Sequence, residues 1–178
     1  MSRLDHLWNG WRADYVRGED RGESAGAGGR EGSVFSAILA SGLPDTDTHI
    51  VHRGRDVFVI LNAFPYASGH LLVLPLREVA EPEDLTPEES VELWATVTDA
   101  VRALRASHSP DALNIGVNLG RAAGGSIARH LHVHVVPRWE GDANFMTATA
   151  DTRTLPEALG ETAARIRGAW PRHGERER

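Results

Sequence analysis

Three histidines alternate with apolar residues in the segment His130-Leu131-His132-Val133-His134, and this alternation constrains the fold more than any other feature of the chain. Successive side chains of a β-strand point to opposite faces, so the spacing predicts a strand over His130–Val136 that ends at Pro137. In such a strand the three imidazoles share one face and the aliphatic residues enter a core. Imidazole is the side chain that changes charge near neutral pH. The segment therefore predicts chemistry at a phosphorus centre or at a metal ion.

Three further segments have the composition of β-strands. They are rich in β-branched or alternating apolar residues and are bounded by proline, glycine or asparagine. These segments are Arg55–Leu61, His70–Leu74 and Leu113–Leu119. A short turn with Pro65 and Gly69 joins the first two, which predicts that they pair in antiparallel orientation.

Two segments have helical periodicity. The first follows a capping box at Thr86–Glu89, with a proline at the first helical position. Its predicted buried face consists of Trp94, Val97, Val101 and Leu104. A second helix is predicted within Thr154–Trp170. Because the strands cluster around one long helix instead of alternating with helices, the sequence predicts an α+β fold with a mainly antiparallel sheet.

Composition excludes several classes of function. The 178-residue chain has a formal net charge of −6 and no dense basic block, so it does not resemble a protein that binds nucleic-acid backbones. It contains no cysteine, which excludes disulfides and thiolate metal ligands and agrees with a reducing compartment. No apolar run is long enough for a signal peptide or a membrane span. We therefore expect a soluble cytoplasmic protein.

A metal site is one interpretation of the histidine segment. Two histidines at positions i and i+2 of a strand can bind zinc, and Gly124 with His130 and His132 resembles the start of the cupin pattern. That pattern then requires a glutamate, where this chain has Val136-Pro137, and Glu140 lies beyond the proline. The metal interpretation therefore lacks its acidic ligand.

Phosphoryl or nucleotidyl transfer is the interpretation that the preceding loop favours. The stretch Asn118–Ser126 contains three glycines and enters directly into the histidine segment. Glycines allow backbone N–H groups to converge on phosphate oxygens, and the Ser126 hydroxyl can donate to them. Neutral imidazole is a good nucleophile toward phosphorus, and flanking imidazoles can stabilise the oxyanions.

Several of these motifs together resemble the histidine triad (HIT) family. Ala123–Trp139 resembles the family signature, in which histidine alternates with hydrophobic residues and two more hydrophobics follow. Asn62–Pro75 is similar to the family's asparagine, proline-containing turn, Gly-His pair and following strand. Gly141–Met146 resembles the segment after the triad in a bacterial branch that includes diadenosine tetraphosphate phosphorylases. The resemblance runs from about residue 33 to 147.

The resemblance implies a single HIT-like domain with a five-stranded, mainly antiparallel sheet and two principal helices, usually in a homodimer. We expect an N-terminal segment at residues 1–32 with a flexible glycine-rich stretch, a HIT domain at 33–147, and a C-terminal helix with a charged tail at 148–178. The expected partners are a nucleotide substrate and a second copy of the chain, with no nucleic acid and no membrane.

The resemblance also implies a two-step nucleotidyl transfer. His132 would attack the α-phosphorus and form a nucleotidyl-histidine, which phosphate or water then resolves. His130 and His134 would orient the nucleophile and contact phosphate oxygens, and His70 would support them from the neighbouring strand. Asn62 matches the family's ribose-contacting position, and the expected phosphate-binding residues are Asn118, Gly124, Gly125 and Ser126.

One departure from the family pattern concerns metal. Many bacterial relatives carry a Cys-x-x-Cys pair ahead of the first strand as part of a structural zinc site, whereas this chain has Ser33 and Ser36 at the two places. We therefore expect no protein-bound cofactor and no protein-bound metal. A divalent cation is expected only as a companion of the nucleotide substrate.

The first function hypothesis is an enzyme that cleaves a dinucleoside polyphosphate, such as diadenosine tetraphosphate, with phosphate or water as acceptor. A hydrolase of nucleoside phosphoramidates or other nucleotidyl conjugates would use the same histidine nucleophile and differ only in the leaving group. A nucleotide-binding regulator without turnover is a third hypothesis, although a pure binder would not need the nucleophile. The sequence leaves these alternatives open.

Overall fold

The computed structural model describes residues 32–124, 127–142 and 157–172. The N-terminal segment before Gly32, Gly125, Ser126 and most of the segment after the triad lie outside the described residues. The predicted domain boundaries at residues 32 and 147 therefore stay predictions. All the elements described here belong to one unit, formed by Gly32–Glu140 and the C-terminal residues 157–172.

Five antiparallel strands form one sheet in the order β1-β2-β3-β5-β4. The strands are β1 at Ile50–Arg53, β2 at Val57–Leu61, β3 at Leu71–Pro75, β4 at Ala112–Val117 and β5 at Val133–Arg138. This architecture confirms the predicted α+β class and the five-stranded antiparallel sheet. The strand that carries the last triad histidine, β5, lies between β3 and β4, so both of its edges are paired.

Four α-helices accompany the sheet in the described part of the chain. They are α1 at Val34–Ala40, the single turn α2 at Asp45–Thr48, α3 at Pro87–His108 and α4 at Leu159–Gly168. The predicted capping box is confirmed: the Thr86 hydroxyl accepts the Glu89 N–H, and the Glu89 carboxylate accepts the Thr86 N–H. None of the helices among these described residues is long and apolar enough to cross a membrane.

The two faces of the sheet bury separate apolar clusters. Residues that pair across strands share a face, so the register assigns each side chain to one side. The face that packs on α3 carries Val57, Val59, Leu71, Val73, Val133 and Val135. The opposite face packs on α1 and carries Phe58, Ile60, Leu72 and Leu74 together with Phe35 of the helix. Because His134 pairs with Leu72, its imidazole belongs to the α1 side.

The buried face of α3 differs from the prediction at one residue. Trp94 is 53% exposed, whereas Leu93 beside it is 3% exposed and packs in the core. Val97 and Leu104 are buried as predicted. Adjacent helical residues are rotated by about 100°, so Leu93 and Trp94 point in different directions, and in this helix Leu93 faces the core while Trp94 lies beyond the edge of the buried face.

The predicted strand over His130–Val136 is wrong at both ends. Its first three residues are not paired in the sheet, since the strand begins only at Val133. The strand also continues through Pro137 to Arg138. Pairing with β3 stops at Val135, so β5 has only β4 as a neighbour at the proline, and a missing backbone N–H is tolerated there.

Candidate active site

His70 and His134 form the part of the site that the sheet positions. His70 immediately precedes β3, and His134 lies on β5, whose residues pair with β3. Gly69 has a φ of +81°, a conformation that favours glycine, and a Cβ there would lie 3.1 Å from Leu104 Cδ2. The glycine thus brings the chain into β3 with the His70 ring inside the protein, where it is fully buried. Its Nε2 atom lies 2.9 Å from His134 Nδ1.

Hydrogen bonds assign the tautomers of these two rings. The Tyr66 backbone N–H donates to His70 Nδ1 over 3.0 Å, so the hydrogen of a neutral His70 resides on Nε2. That hydrogen is donated to His134 Nδ1, which leaves the hydrogen of a neutral His134 on its own Nε2. Asn118 Nδ2 lies 3.5 Å from this Nε2 atom, and because both nitrogens carry hydrogen, the Asn118 amide must turn its Oδ1 toward Nε2 to accept from it. The pair therefore presents an N–H donor at His134 Nε2.

His130 is held by two contacts at opposite ends of its ring. Its Nε2 lies 2.8 Å from the Pro75 carbonyl oxygen, which can only accept, so Nε2 carries the hydrogen. Its Nδ1 lies 2.7 Å from the Ser33 hydroxyl. The ring is 1% exposed, and this burial lowers the pKa of His130 below its usual value. The neutral ring therefore accepts the hydrogen bond from Ser33.

His132 is oriented by the backbone of His130. Its Nδ1 lies 2.8 Å from the His130 carbonyl oxygen, to which it donates. Burial lowers the pKa of His132, so the neutral ring is favoured and its Nε2 keeps an unprotonated lone pair. A neutral imidazole with a free Nε2 lone pair is chemically able to act as a nucleophile.

The His134 ring, which carries the N–H donor, lies beside the His132 ring, which carries the lone pair. The ring centroids of His132 and His134 are 4.9 Å apart. Burial, and then the neighbouring His132, lower the pKa of His134 to about 4. Near neutral pH the site thus combines one lone pair and one neutral N–H donor. This arrangement can attack phosphorus while it donates to a phosphate oxygen.

Two aromatic residues cover the imidazoles from different sides. Phe35 of α1 contacts His130 and His132, with ring centroids 5.6 and 5.9 Å away. Tyr66 lies 4.7 Å from the His70 ring and stacks on His134 at 6.0 Å with an interplanar angle of 14°. These rings restrict how far the imidazoles can turn.

The other predicted site residues lie at strand ends or in the glycine loop. Asn62 follows β2 directly, and its Nδ2 lies 3.4 Å from His70 Nδ1. Asn118 follows β4 and approaches His134. The structure therefore brings both asparagines to the histidine pair. Gly124 has a φ of +90°, and its predicted contact with phosphate stays a prediction, as do those of the two residues after it, which are outside the described part.

A gap in side chains lies on one flank of His134. Gly116 of β4 is directly paired with His134. Residues paired in this way share a face of the sheet, so a side chain at 116 would stand beside the imidazole. A Cβ built at Gly116 meets no atom of the described residues within 4 Å. The His134 ring is therefore open on the β4 side.

Comparison with known proteins agrees with this geometry. The HIT domain matches residues 44–141, which is more than half of the chain. The chain belongs to the HIT family. It is 40% identical over 170 residues to the AP-4-A phosphorylase of Mycobacterium tuberculosis, covering 96% of this chain and 86% of that protein. It is also 34% identical over 95 residues to an asymmetrical bis(5'-nucleosyl)-tetraphosphatase of Schizosaccharomyces pombe, covering 53% and 52% of the two chains.

A solved HIT structure also resembles the fold. It is a zinc-bound histidine triad family protein of Mycobacterium smegmatis, 30% identical, with a TM-score of 0.62 and coverage of 77% of this chain and 91% of that one.

In the 178-residue chain, by contrast, the residues around Ser33 and Ser36 do not fit zinc. The donor set there comprises two neutral hydroxyls, the Glu78 carboxylate and the His130 imidazole, whereas structural zinc sites use thiolates and imidazoles. Within the described residues, no group of three or more acidic, histidine or cysteine side chains could hold a metal ion.

Sequence reasoning missed three contributors to the HIT site. Tyr66 was quoted only as part of a motif, although its backbone N–H assigns the tautomer of His70. Ser33 was noted only as a replaced cysteine, although it bonds His130. The N-cap pattern of serine before a short apolar segment could have placed Ser33 at the start of α1. Glu78 carried no signal, because nothing in the sequence separates it from the other acidic residues.

Proposed function

We propose that this HIT protein cleaves dinucleoside polyphosphates through a covalent intermediate on His132. The chain is an enzyme of the HIT family, and two of its relatives are named for dinucleoside polyphosphate processing. The observation that carries the proposal is the hydrogen bond between His132 Nδ1 and the His130 carbonyl oxygen. This bond leaves the lone pair of His132 Nε2 next to the N–H donor of His134.

In the proposed first step, His132 Nε2 attacks the α-phosphorus of diadenosine tetraphosphate. A P–N bond forms as the bond between the α-phosphorus and its bridging oxygen breaks, and the electron pair leaves with ATP. His134 Nε2–H donates to a phosphate oxygen as negative charge develops. The nucleotidylated ring of His132 becomes cationic, and the His130 carbonyl oxygen, already 2.8 Å from Nδ1, stabilises it.

In the proposed second step, an acceptor oxygen attacks the same phosphorus and the P–N bond breaks. The electron pair returns to His132 Nε2, which restores the starting tautomer. Inorganic phosphate as acceptor yields ADP, and water yields AMP. The 40% identity to a phosphorylase favours phosphate as the acceptor.

The remaining site residues have proposed supporting roles. His70 would keep His134 in its donor tautomer, and His130 would hold the carbonyl that orients the nucleophile. Asn62 is proposed to contact the ribose. The proposed phosphate contacts are Asn118, Gly124, Gly125 and Ser126. No protein-bound cofactor is proposed, and a divalent cation would arrive with the nucleotide.

Product analysis tests this function directly. The protein is incubated with diadenosine tetraphosphate, with and without phosphate, and the nucleotides are separated by chromatography. Phosphate-dependent ADP plus ATP indicates phosphorolysis, and ATP plus AMP indicates hydrolysis. Two molecules of ADP without phosphate uptake would contradict attack at the α-phosphorus. Absence of cleavage with either acceptor, in protein that cleaves a nucleoside phosphoramidate, would transfer the proposal to that substrate class.

We also propose that the enzyme forms a homodimer at the free edge of β4. This strand ends the sheet, and its backbone groups on that side have no strand partner in the described chain. Ile115 of β4 is 46% exposed, and Trp94 of α3 is 53% exposed. An open strand edge beside apolar side chains is a surface on which a second copy can pair.

Light scattering of the full chain tests the dimer. Ile115→Lys is expected to shift the mass toward the monomer, because it places a charge in the proposed interface. Leu43→Lys changes a similarly exposed apolar residue outside β4 and is expected to leave the mass unchanged. A monomeric wild-type protein would contradict the proposal. The cytoplasmic location predicted from the cysteine-free sequence is tested separately by cell fractionation.

A further inference from the structure

Ser33, Ser36 and Glu78 form a hydrogen-bonded group next to the catalytic histidines, which we name the clamp. The Glu78 Oε2 atom accepts the Ser33 backbone N–H at 2.7 Å and the Ser36 hydroxyl at 2.6 Å. The Ser33 hydroxyl reaches His130 Nδ1 at 2.7 Å. A continuous path of short hydrogen bonds therefore runs from a carboxylate on the β3–α3 connection to the histidine segment.

The number of hydrogens that each group carries decides which atom donates in each of these hydrogen bonds. A carboxylate only accepts, so the single hydroxyl hydrogen of Ser36 is committed to Glu78. His130 Nε2 donates to the Pro75 carbonyl, so its Nδ1 must accept, and the single hydroxyl hydrogen of Ser33 is committed to it. The Ser33 oxygen meanwhile accepts the Ser36 backbone N–H at 3.1 Å. Each donor in the clamp thus has one acceptor. The two hydroxyl oxygens lie 3.1 Å apart, but neither donates to the other because both hydrogens are already used.

We infer that Glu78 is a positioning residue for the nucleophile and that the clamp performs this task without a metal ion. Glu78 holds Ser33, Ser33 holds the His130 ring, and the carbonyl of His130 holds His132 Nδ1. The catalytic part of this inference rests on the proposed function, because it assumes that His132 attacks phosphorus. The tautomer part does not, since it concerns the protein alone.

Burial explains why a remote carboxylate can matter. Ser33 and His130 are 6% and 1% exposed, so water cannot readily replace a lost partner. The hydrogen bonds from Ser36 and Ser33 lower the pKa of Glu78, which keeps it a carboxylate near neutral pH. Removing it leaves the N–H of buried Ser33 and the hydroxyl of partly buried Ser36 without their acceptor, and a buried donor without an acceptor forces rearrangement.

Kinetics of two Glu78 variants form the first test. Glu78→Ala is expected to lower kcat on the order of tenfold with little change in KM, comparable to losing a group that orients a metal-bound imidazole. Glu78→Gln keeps an acceptor oxygen and loses only the contact with exposed Arg129, so it is expected to stay within about threefold of wild type. Glu92→Ala is the matched control, because the Glu92 carboxylate also accepts two hydrogen bonds, from the backbone N–H groups of Arg55 and Asp56 in the β1–β2 turn, and none from the clamp.

Nitrogen NMR of the histidine rings is the second test, and it needs no substrate. Wild-type protein is expected to show hydrogen on Nδ1 of His132 and on Nε2 of His130. Glu78→Ala and Ser33→Gly are expected to shift His132 toward a mixture of tautomers, whereas Ser33→Thr restores the hydroxyl and the wild-type signal. Glycine is nearly as good an N-cap as serine, so Ser33→Gly separates loss of the hydroxyl from loss of α1.

The outcomes separate failure of the inference from failure of the proposed function. Unchanged His132 signals in folded Glu78→Ala and Ser33→Gly would overturn the inference, whatever the enzyme cleaves. An equal loss of kcat in Glu92→Ala would also overturn it, since the effect would then be general. Stoichiometric zinc in the purified protein that is lost from Ser33→Gly would overturn the metal-free clamp. A protein that shows the tautomer shift but cleaves no dinucleotide would contradict only the proposed function.

Discussion

The two halves of the histidine site are held by different means. His70 and His134 sit at the junction of β3 and β5, where strand pairing sets their separation through the backbone. His130 and His132 precede the strand and are held by individual contacts with a hydroxyl and two carbonyl oxygens. A site built by backbone pairing survives loss of single side chains, whereas one built by separate contacts depends on each of them. His132, the proposed nucleophile, is held in the second way.

The largest expected effect comes from removing the nucleophile itself. His132→Ala is expected to reduce kcat on the order of 10³-fold or more, because no other group supplies the lone pair. Nucleotide affinity should change little, since this ring contributes chemistry more than contact area. Steady-state kinetics and calorimetric titration with a nucleotide measure the two effects. Turnover near the wild-type rate would refute covalent catalysis by this residue.

The second largest effect is expected from His134→Ala, which removes a side chain from the half of the site that strand pairing positions. Loss of the N–H donor is expected to lower kcat on the order of 10²-fold, the usual contribution of one positioned proton donor. The fold should remain, because pairing of β5 with both neighbours uses only the backbone. Circular dichroism and thermal melting check the fold, and kinetics check the rate. If the variant lost its fold, the ring would have to be a structural element of the sheet.

The stability of the fold at acid pH depends on histidines of both halves of the site. The folded protein lowers the pKa of His130, His132 and His134, the last to about 4, so the unfolded chain binds more protons below its ordinary pKa near 6.5. Stability is therefore full above about pH 6.5 and falls as the pH drops toward 4. The slope is up to about 1.4 kcal/mol per pH unit for each histidine that stays neutral.

Urea denaturation at several pH values measures this slope. The variant His134→Ala should lose stability less steeply with acid than the wild type, because one of the depressed groups is gone. Identical slopes for the two proteins would show that another group causes the acid sensitivity.

The smallest effect is expected at the open flank of the strand-held half. Gly116→Ala adds a methyl group that meets no atom within 4 Å in the described part of the chain, so the free energy of unfolding should change by less than about 1 kcal/mol. Chemical denaturation measures this change. A large destabilisation would mean that the space beside His134 is filled in solution.

The sequence predicted much of this site because its strongest signals are local. The capping box of α3 and the strand β2 follow from short patterns, and both were found. The alternation of His130–His134 also predicted that these imidazoles share one site, although the strand begins only at Val133. Whether a residue is paired in a sheet depends on the neighbouring strand. The pairing of β3 with β5 begins at Val133, so the residues before it are not part of the sheet. Local periodicity does not contain that information.

Other features depended on contacts between distant parts of the chain. β1 has only four residues, too few to establish a period, and it is stabilised by pairing with β2. The clamp joins residues 33, 36 and 78, and it contacts His130, which is 97 positions from Ser33 in sequence. Such partners become visible only once the sheet and α1 bring them together.

Because Gly116 has no side chain, it is a position at which the site could be changed by substitution. Two neighbours of His134 already have roles, since Leu72 is part of the core and His70 assigns the tautomer of His134. Gly116, the residue of β4 that pairs with His134, has no side chain and so makes no such contact. Side chains of graded size or charge introduced there would be expected to discriminate among leaving groups, and an enzyme with altered preference could be built while the catalytic rings stay untouched.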